Sequence, residues 1–196
     1  MAAPPEKTIQ DFNGSWVMNK KDSRNTDAIL SLQGIPWLVR RAIGFATVTL
    51  ICKQYKDENG LEHIDIDQVT SPSLPGKSAT PEERVLDWEW RDHENGIFGK
   101  VKGRTRRITL ADLPDDEDGM FMKEGWDEST IEGGDLIETF VENQDSGWTA
   151  NQTWGFELND EGVRKYARHV IVKDKSGKKV LREKLYYDYD GPVPAQ

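Results

Sequence analysis

From residue 46 to the C-terminus, apolar residues recur at alternate positions over runs of about ten, and the runs are separated by turn-forming residues. A period of two reads as β-strands with one face turned inward and the other wet. Asn59-Gly60 parts 46–56 from 61–71, Asn95-Gly96 parts 84–91 from 97–109, and Ser176-Gly177 parts 163–173 from 180–189, each a hairpin signal. Residues 131–142 and 148–158 read as a further hairpin and 120–126 as one more strand. Ahead of this run, 15–20 reads as a strand, and 24–32 and 36–45 as short helices divided at Gly34, with Pro36 suited to a first helical position. The pattern predicts a mainly β fold: about ten strands in an antiparallel up-and-down barrel, with a two-helix lid between the first and second strands. The stretches 72–81 and 112–118 read as surface loops.

Two of the turns allow a register to be written. A two-residue loop at Asn95-Gly96 sets Glu89 against Lys102 and Asp87 against Arg104 on one face, and Trp90 against Val101, Trp88 against Gly103 and Leu86 against Thr105 on the other. Trp88 and Trp90 are thus expected inside, and Lys100, Lys102, Arg104 and Arg106 on a solvated, carboxylate-paired outer face. A two-residue loop at Ser176-Gly177 sets Tyr166 against Tyr187, Arg168 against Leu185 and Val170 against Glu183 on the inner face. An inward Arg168 needs Glu183, water, or the acidic or carbonyl end of a ligand. The stripe Trp148, Ala150, Gln152, Trp154, Phe156 is also expected inward, with one amide in it. The candidate ligand-binding residues are therefore Trp88, Trp90, Trp148, Gln152, Trp154, Tyr166, Arg168 and Tyr187.

Composition narrows the function classes. The 196 residues fit one domain with a flexible arm at 1–11, and 36% hydrophobic against 31% charged residues suits a closed sheet with a wet face. A net charge of −9 repels a phosphate backbone, which argues against nucleic acid. No run of about 18 apolar residues occurs, and the lone Cys52 suits a reducing compartment, so a cytoplasmic location is expected. His63, His93 and His169 are scattered, Cys52 has no base near it in sequence, and the glycines fall at turns, so neither a metal nor a cofactor is expected.

The segment Phe12-x-Gly14-x-Trp16, followed by Asp27, Leu32, Gly34, Ile35 and Arg40, resembles the first strand and helix pair of the intracellular lipid-binding proteins, the fatty-acid- and retinoid-binding branch of the calycins, which also include the lipocalins. That resemblance implies a lidded barrel around a hydrophobic or amphipathic small molecule. The chain departs from it in the last strand, where the family's Arg-x-Tyr is replaced by Arg182 and Lys184. Two activities follow as expectations: a cytosolic carrier, or a cofactor-independent isomerase or cyclase folding a terpenoid or polyketide-type substrate in the barrel. Lys20, Lys21, Arg24, Arg40 and Arg41 make the lid locally basic, which suits transient contact with an anionic membrane or steering of an anionic ligand.

Overall fold

A computed structural model of the chain describes residues 1–73 and 82–193. Its ten strands are β1 (Gly14–Met18), β2 (Thr47–Lys56), β3 (Glu62–Ser71), β4 (Glu82–Val85), β5 (Arg91–Asn95), β6 (Gly99–Ile108), β7 (Leu136–Asn143), β8 (Thr149–Leu158), β9 (Arg164–Lys173) and β10 (Val180–Tyr189). They form one curled antiparallel sheet in the order β4-β3-β2-β1-β10-β9-β8-β7-β6-β5, so the seam lies between β4 and β5. Across that seam Arg107 Nε and Nη2 donate to the Glu62 carboxylate at 2.6 Å each, and Trp88 N donates to Thr105 O at 2.9 Å. Helices α1 (Thr26–Leu32) and α2 (Trp37–Phe45) lie between β1 and β2, as the pattern predicts. The expected loop at 72–81 falls, beyond residue 73, outside the described residues.

The opening motif has a local cause. Gly14 sits at φ +152°, and a Cβ there would lie 2.8 Å from the Tyr189 ring, so glycine is required where β1 passes β10. Trp16, fully buried, donates its indole N–H to Phe12 O at 2.8 Å. Phe12, Trp16, Trp154, Phe156 and Tyr166 then fill one part of the barrel, with Phe12 stacked on Tyr166 at 5.3 Å. Residues 1–11 pack onto this part: Ile9 is buried and Ala3 N donates to Arg164 O at 2.8 Å.

Three expectations are corrected. The strand expected at 84–91 is two strands, because the chain turns at 86–87 and Trp88 takes a left-handed φ of +63°, with the Asp87 carboxylate closing the bend on Arg91 at 2.6 and 2.7 Å. The hairpin after it pairs Asn95 with Gly99 and His93 with Val101. Gly99, at φ +70°, takes the left-handed position, so the turn runs three residues and the pairing moves by three. An odd shift turns the strand over. Trp88 and Trp90 therefore stand on the outer face, where Arg104 lies over both rings at 4.1 and 4.5 Å and Arg106 over Trp88 at 4.2 Å. The basic row is outward as expected, but Lys102 and Arg106 pair with Glu142 and Glu138 of β7, at 3.0 and 2.7 Å.

The third correction is a layer of structure. The strand expected at 120–126 and the loop at 112–118 are instead a 3-10 turn at Leu110–Asp112 and helix α3 (Glu117–Lys123), followed by α4 (Glu128–Glu132). Asp116 and Asp127 cap the two helices, accepting from Gly119 N at 2.9 Å and Thr130 N at 3.0 Å. Met122 and Trp126, four residues apart, press onto the outer side of β8 and β9, which buries β9 on both faces. Trp126 stacks on His169 at 3.9 Å and rests on the bare backbone of Gly155, where a Cβ would meet the ring at 2.8 Å and the Thr130 methyl at 2.9 Å. Gly155→Ala is therefore expected to cost about 1–3 kcal/mol by overpacking, read as a lower thermal midpoint; an unchanged midpoint would show that the layer shifts freely.

Candidate functional site

Under α1 and α2 the barrel holds a cavity of about 580 Å³, within the range of small-molecule sites. Ile29 of α1 and Val48, Val101, Val141, Trp148 and Val170 of the strands supply its apolar wall. The aromatics packed at the other part of the barrel form its floor.

The floor carries a cation, and the β8–β9–β10 registers explain why. Arg168 pairs with Leu185 and Tyr166 with Tyr187, as the Ser176-Gly177 turn predicts, and on its other side Arg168 pairs with Trp154. Two-residue periodicity turns Arg168, Tyr166, Val170, Trp154 and Gln152 to the same side. Arg168 is 8% exposed, and its guanidinium lies over the Trp154 ring at 4.1 Å and the Tyr187 and Tyr166 rings at 5.4 and 5.5 Å. Its Nε donates to Tyr166 Oη at 2.9 Å, while its Nη2 is buried without a partner. Glu183, the expected counter-charge, instead accepts from Asn25 Nδ2 at 2.8 Å. A cation thus sits on the floor with no carboxylate bound to it. Burial holds the Tyr187 hydroxyl protonated by raising its pKa, against the pull of Arg168.

A second arginine was not anticipated. Arg84 of β4 lies over the Trp154 ring at 5.1 Å, and its Nη1 donates to Thr139 at 2.6 Å and Thr105 at 3.3 Å. It also pairs with Glu82, whose carboxyl burial alone would raise; Arg84, then Arg168 and His93, hold it below its usual range. Arg84 therefore has a carboxylate bonded to it, while Arg168 acts on the same carboxylate only at a distance. Its inward position is the continuation of the alternation Arg84, Leu86, which the sequence shows, but its bonds to Thr105 and Thr139 cross the seam.

Of the eight candidate residues, Trp148, Gln152, Arg168 and Tyr187 line the cavity. Trp154 and Tyr166 are fully buried and support Arg168 from below. Trp88 and Trp90 stand on the other face of the sheet. The lid contributes Ile29, Leu30, Gln33, Arg40, Arg41 and Phe45. It is fastened by Arg40 to Asp27 at 3.0 Å and by Lys20 Nζ to Gly44 O at 2.7 Å. Trp37, Leu38 and Phe45 are largely exposed on α2. Burial pushes the Cys52 thiol up to about 12, so it is no nucleophile. Among the described residues no cluster of His, Cys, Asp or Glu is arranged to hold a metal, and no helix is long and apolar enough to cross a membrane.

Solved structures show the same fold. An apo lipid binding protein 8 of Caenorhabditis elegans superposes with a TM-score of 0.53 over 93% of this chain and 97% of its own, at 11% identity. A Schistosoma mansoni fatty acid binding protein in complex with arachidonic acid superposes with a TM-score of 0.51 over 92% and 96%, at 14% identity. No family model matches the chain. In sequence it is 35% identical to a probable pericyclase, scpY, of Mollisia scopiformis over 100% of this chain and 98% of that one. It is 30% identical to the pericyclase pydY of Acremonium sp over 98% of each. A lidded barrel of the fatty-acid-binding type, matched along its whole length to these two proteins, places the chain in the pericyclase family they represent.

Proposed function

We propose that the protein is itself a pericyclase, closing a ring on a flexible, largely apolar substrate held in the barrel. A pericyclic step moves its bonding electrons around a cyclic transition state, so it needs neither a nucleophile nor a metal. What a protein supplies is a folded substrate conformer, which removes the cost of ordering a flexible chain from the barrier, and, where the transition state is polar, preorganised dipoles. The observation that carries the reading is the cavity under the lid: an apolar wall that ends at Arg168, a buried cation seated on the rings of Trp154, Tyr166 and Tyr187. Full-length similarity to two pericyclases favours chemistry over carriage, while the fold alone supports a carrier equally well.

The test is to incubate the purified chain with the substrates that the two relatives turn over and to follow products of unchanged mass and altered retention. Accelerated ring closure supports the enzyme. Stoichiometric binding with no acceleration would overturn it and leave the carrier.

A further inference from the structure

Gln152 and Arg168 are both fixed by one indole. Trp154 stands opposite Arg168 across the β8–β9 ladder and carries the guanidinium on its face, at 4.1 Å. On its edge, Trp154 Nε1 donates to Gln152 Oε1 at 3.0 Å. An indole nitrogen can only donate, so the Gln152 atom facing it is the oxygen, and the amide N–H groups are turned away from the ring. Gln152 pairs with Val170, two residues from Arg168 on the same face. That diagonal spacing, roughly 7–8 Å between backbone positions, is within reach of long side chains. Both residues line the cavity.

We infer that Gln152 and Arg168 form a donor pair, clamped by Trp154, that binds an oxygen carrying no hydrogen, so that the substrate presents a carbonyl, or the enolate of a carbonyl, to this point of the floor. The inference rests on the proposed function and names the group that chemistry acts upon. Toward the cavity the pair offers chiefly N–H donors: one lone pair of the Gln152 oxygen is taken by Trp154, which leaves that oxygen a single further acceptor site on the side turned to the indole, and a guanidinium never accepts. A carbonyl oxygen accepts both donors. An alcohol would accept them too, but within the pair its own hydrogen would have only the second lone pair of the Gln152 oxygen to reach, on the side turned to the indole, and an unmet buried donor is costly. If the bound carbonyl is conjugated to the reacting π system, the two donors withdraw electron density from it, and they bind the oxygen more tightly as charge builds there. Trp154 acts as a positioning residue. It holds the cation in place and prevents the amide from turning its oxygen into the cavity.

The test uses a matched pair of probes, cyclododecanone and cyclododecanol, titrated into the purified protein by calorimetry. The protein is expected to bind the ketone at least about 10-fold more tightly, the value of one charge-assisted hydrogen bond. Gln152→Met should reduce that preference to about 2–3-fold, and Gln152→Glu, which keeps the acceptor for Trp154 but turns an acceptor inward, should abolish or reverse it. Trp154→Phe should lower the ketone-to-alcohol ratio without a matching loss of alcohol affinity, a change that mere loosening of the core does not produce. Equal binding of the two probes, binding of neither, or a preference unmoved by Gln152→Glu would overturn the donor pair. Turnover of the relatives' substrates is scored separately. Ketone preference without turnover would sink the pericyclase reading and spare the pair, and turnover without ketone preference would do the reverse.

Discussion

Arg168→Met is expected to make the protein more stable and far less active. Among the described residues no carboxylate bonds to the buried Arg168, Glu82 acting on it only at a distance, and removing a guanidinium from water without a bonded counter-ion costs several kcal/mol. The rings of Trp154, Tyr166 and Tyr187 return part of that cost, each cation–π contact contributing about 0.5–2 kcal/mol. Methionine fills similar space with no charge, so a gain of about 1–4 kcal/mol is expected, on the pattern of buried charges replaced by apolar groups. Turnover should fall by about 10²–10³, as when one donor to a developing oxyanion is removed. Denaturant melts and steady-state rates on the same preparation decide the matter. A destabilised variant would mean that Arg168 is there for the core, and an active one would remove it from the chemistry. Arg84→Met should behave oppositely in stability, because it leaves the Glu82 carboxylate without its partner.

Glu157→Ala is expected to cost about 3–5 kcal/mol, because it strands charge beneath the outer layer. Glu157 is 2% exposed and receives His169 Nε2 at 2.6 Å, Lys184 Nζ at 3.3 Å and the Tyr186 hydroxyl. Its position on β8, under Trp126, ties α3 and α4 to the barrel wall. Burial pushes its carboxyl up, but His169, Tyr186 and Lys184 outweigh that and hold it below its ordinary 4.5. A carboxyl whose folded value is depressed stabilises the fold fully above its unfolded value and ceases to do so as pH falls through the folded one. The native protein should therefore lose stability below about pH 4.5 more steeply than Glu157→Gln, which cannot titrate. Thermal midpoints from pH 7 to pH 3 test this; parallel curves would show that the glutamate carries no linkage.

Much of the barrel was legible because it is written in local terms. Alternation of period two marked β2, β3 and β6 to β10, and Pro36 and Gly34 bounded the lid helices. The β9–β10 register was readable from Ser176-Gly177 because a tight turn with one glycine leaves little choice of pairing, and with it came the inward set Tyr166, Arg168 and Tyr187. The Asn95-Gly96 hairpin failed on the same logic: a second glycine, Gly99, offered the left-handed position three residues on, and the turn took it. The α3–α4 layer was missed because Phe121, Met122 and Trp126 fit a short strand as well as a helix. What decides between the two is the flat outer face of β8 and β9, with Gly155 in it, on which a helix can rest.

By itself, then, the sequence determined that the chain is a lidded antiparallel barrel and that Arg168, Gln152 and Trp148 face its interior, since side-chain alternation and turn chemistry act over a few residues. Only the tertiary structure decided that Glu183 is drawn to Asn25 and leaves Arg168 alone, that Arg84 reaches the same floor already paired with Glu82, and that Trp154 holds the arginine on its face and the amide on its edge. The Asn25–Glu183 bond and the seating of Arg168 and Arg84 on Trp154 depend on which groups distant in the chain come within a few ångströms of one another, and that distance is set by the curl of the sheet; the Glu82–Arg84 and Gln152–Trp154 contacts join near neighbours whose side chains that packing then fixes.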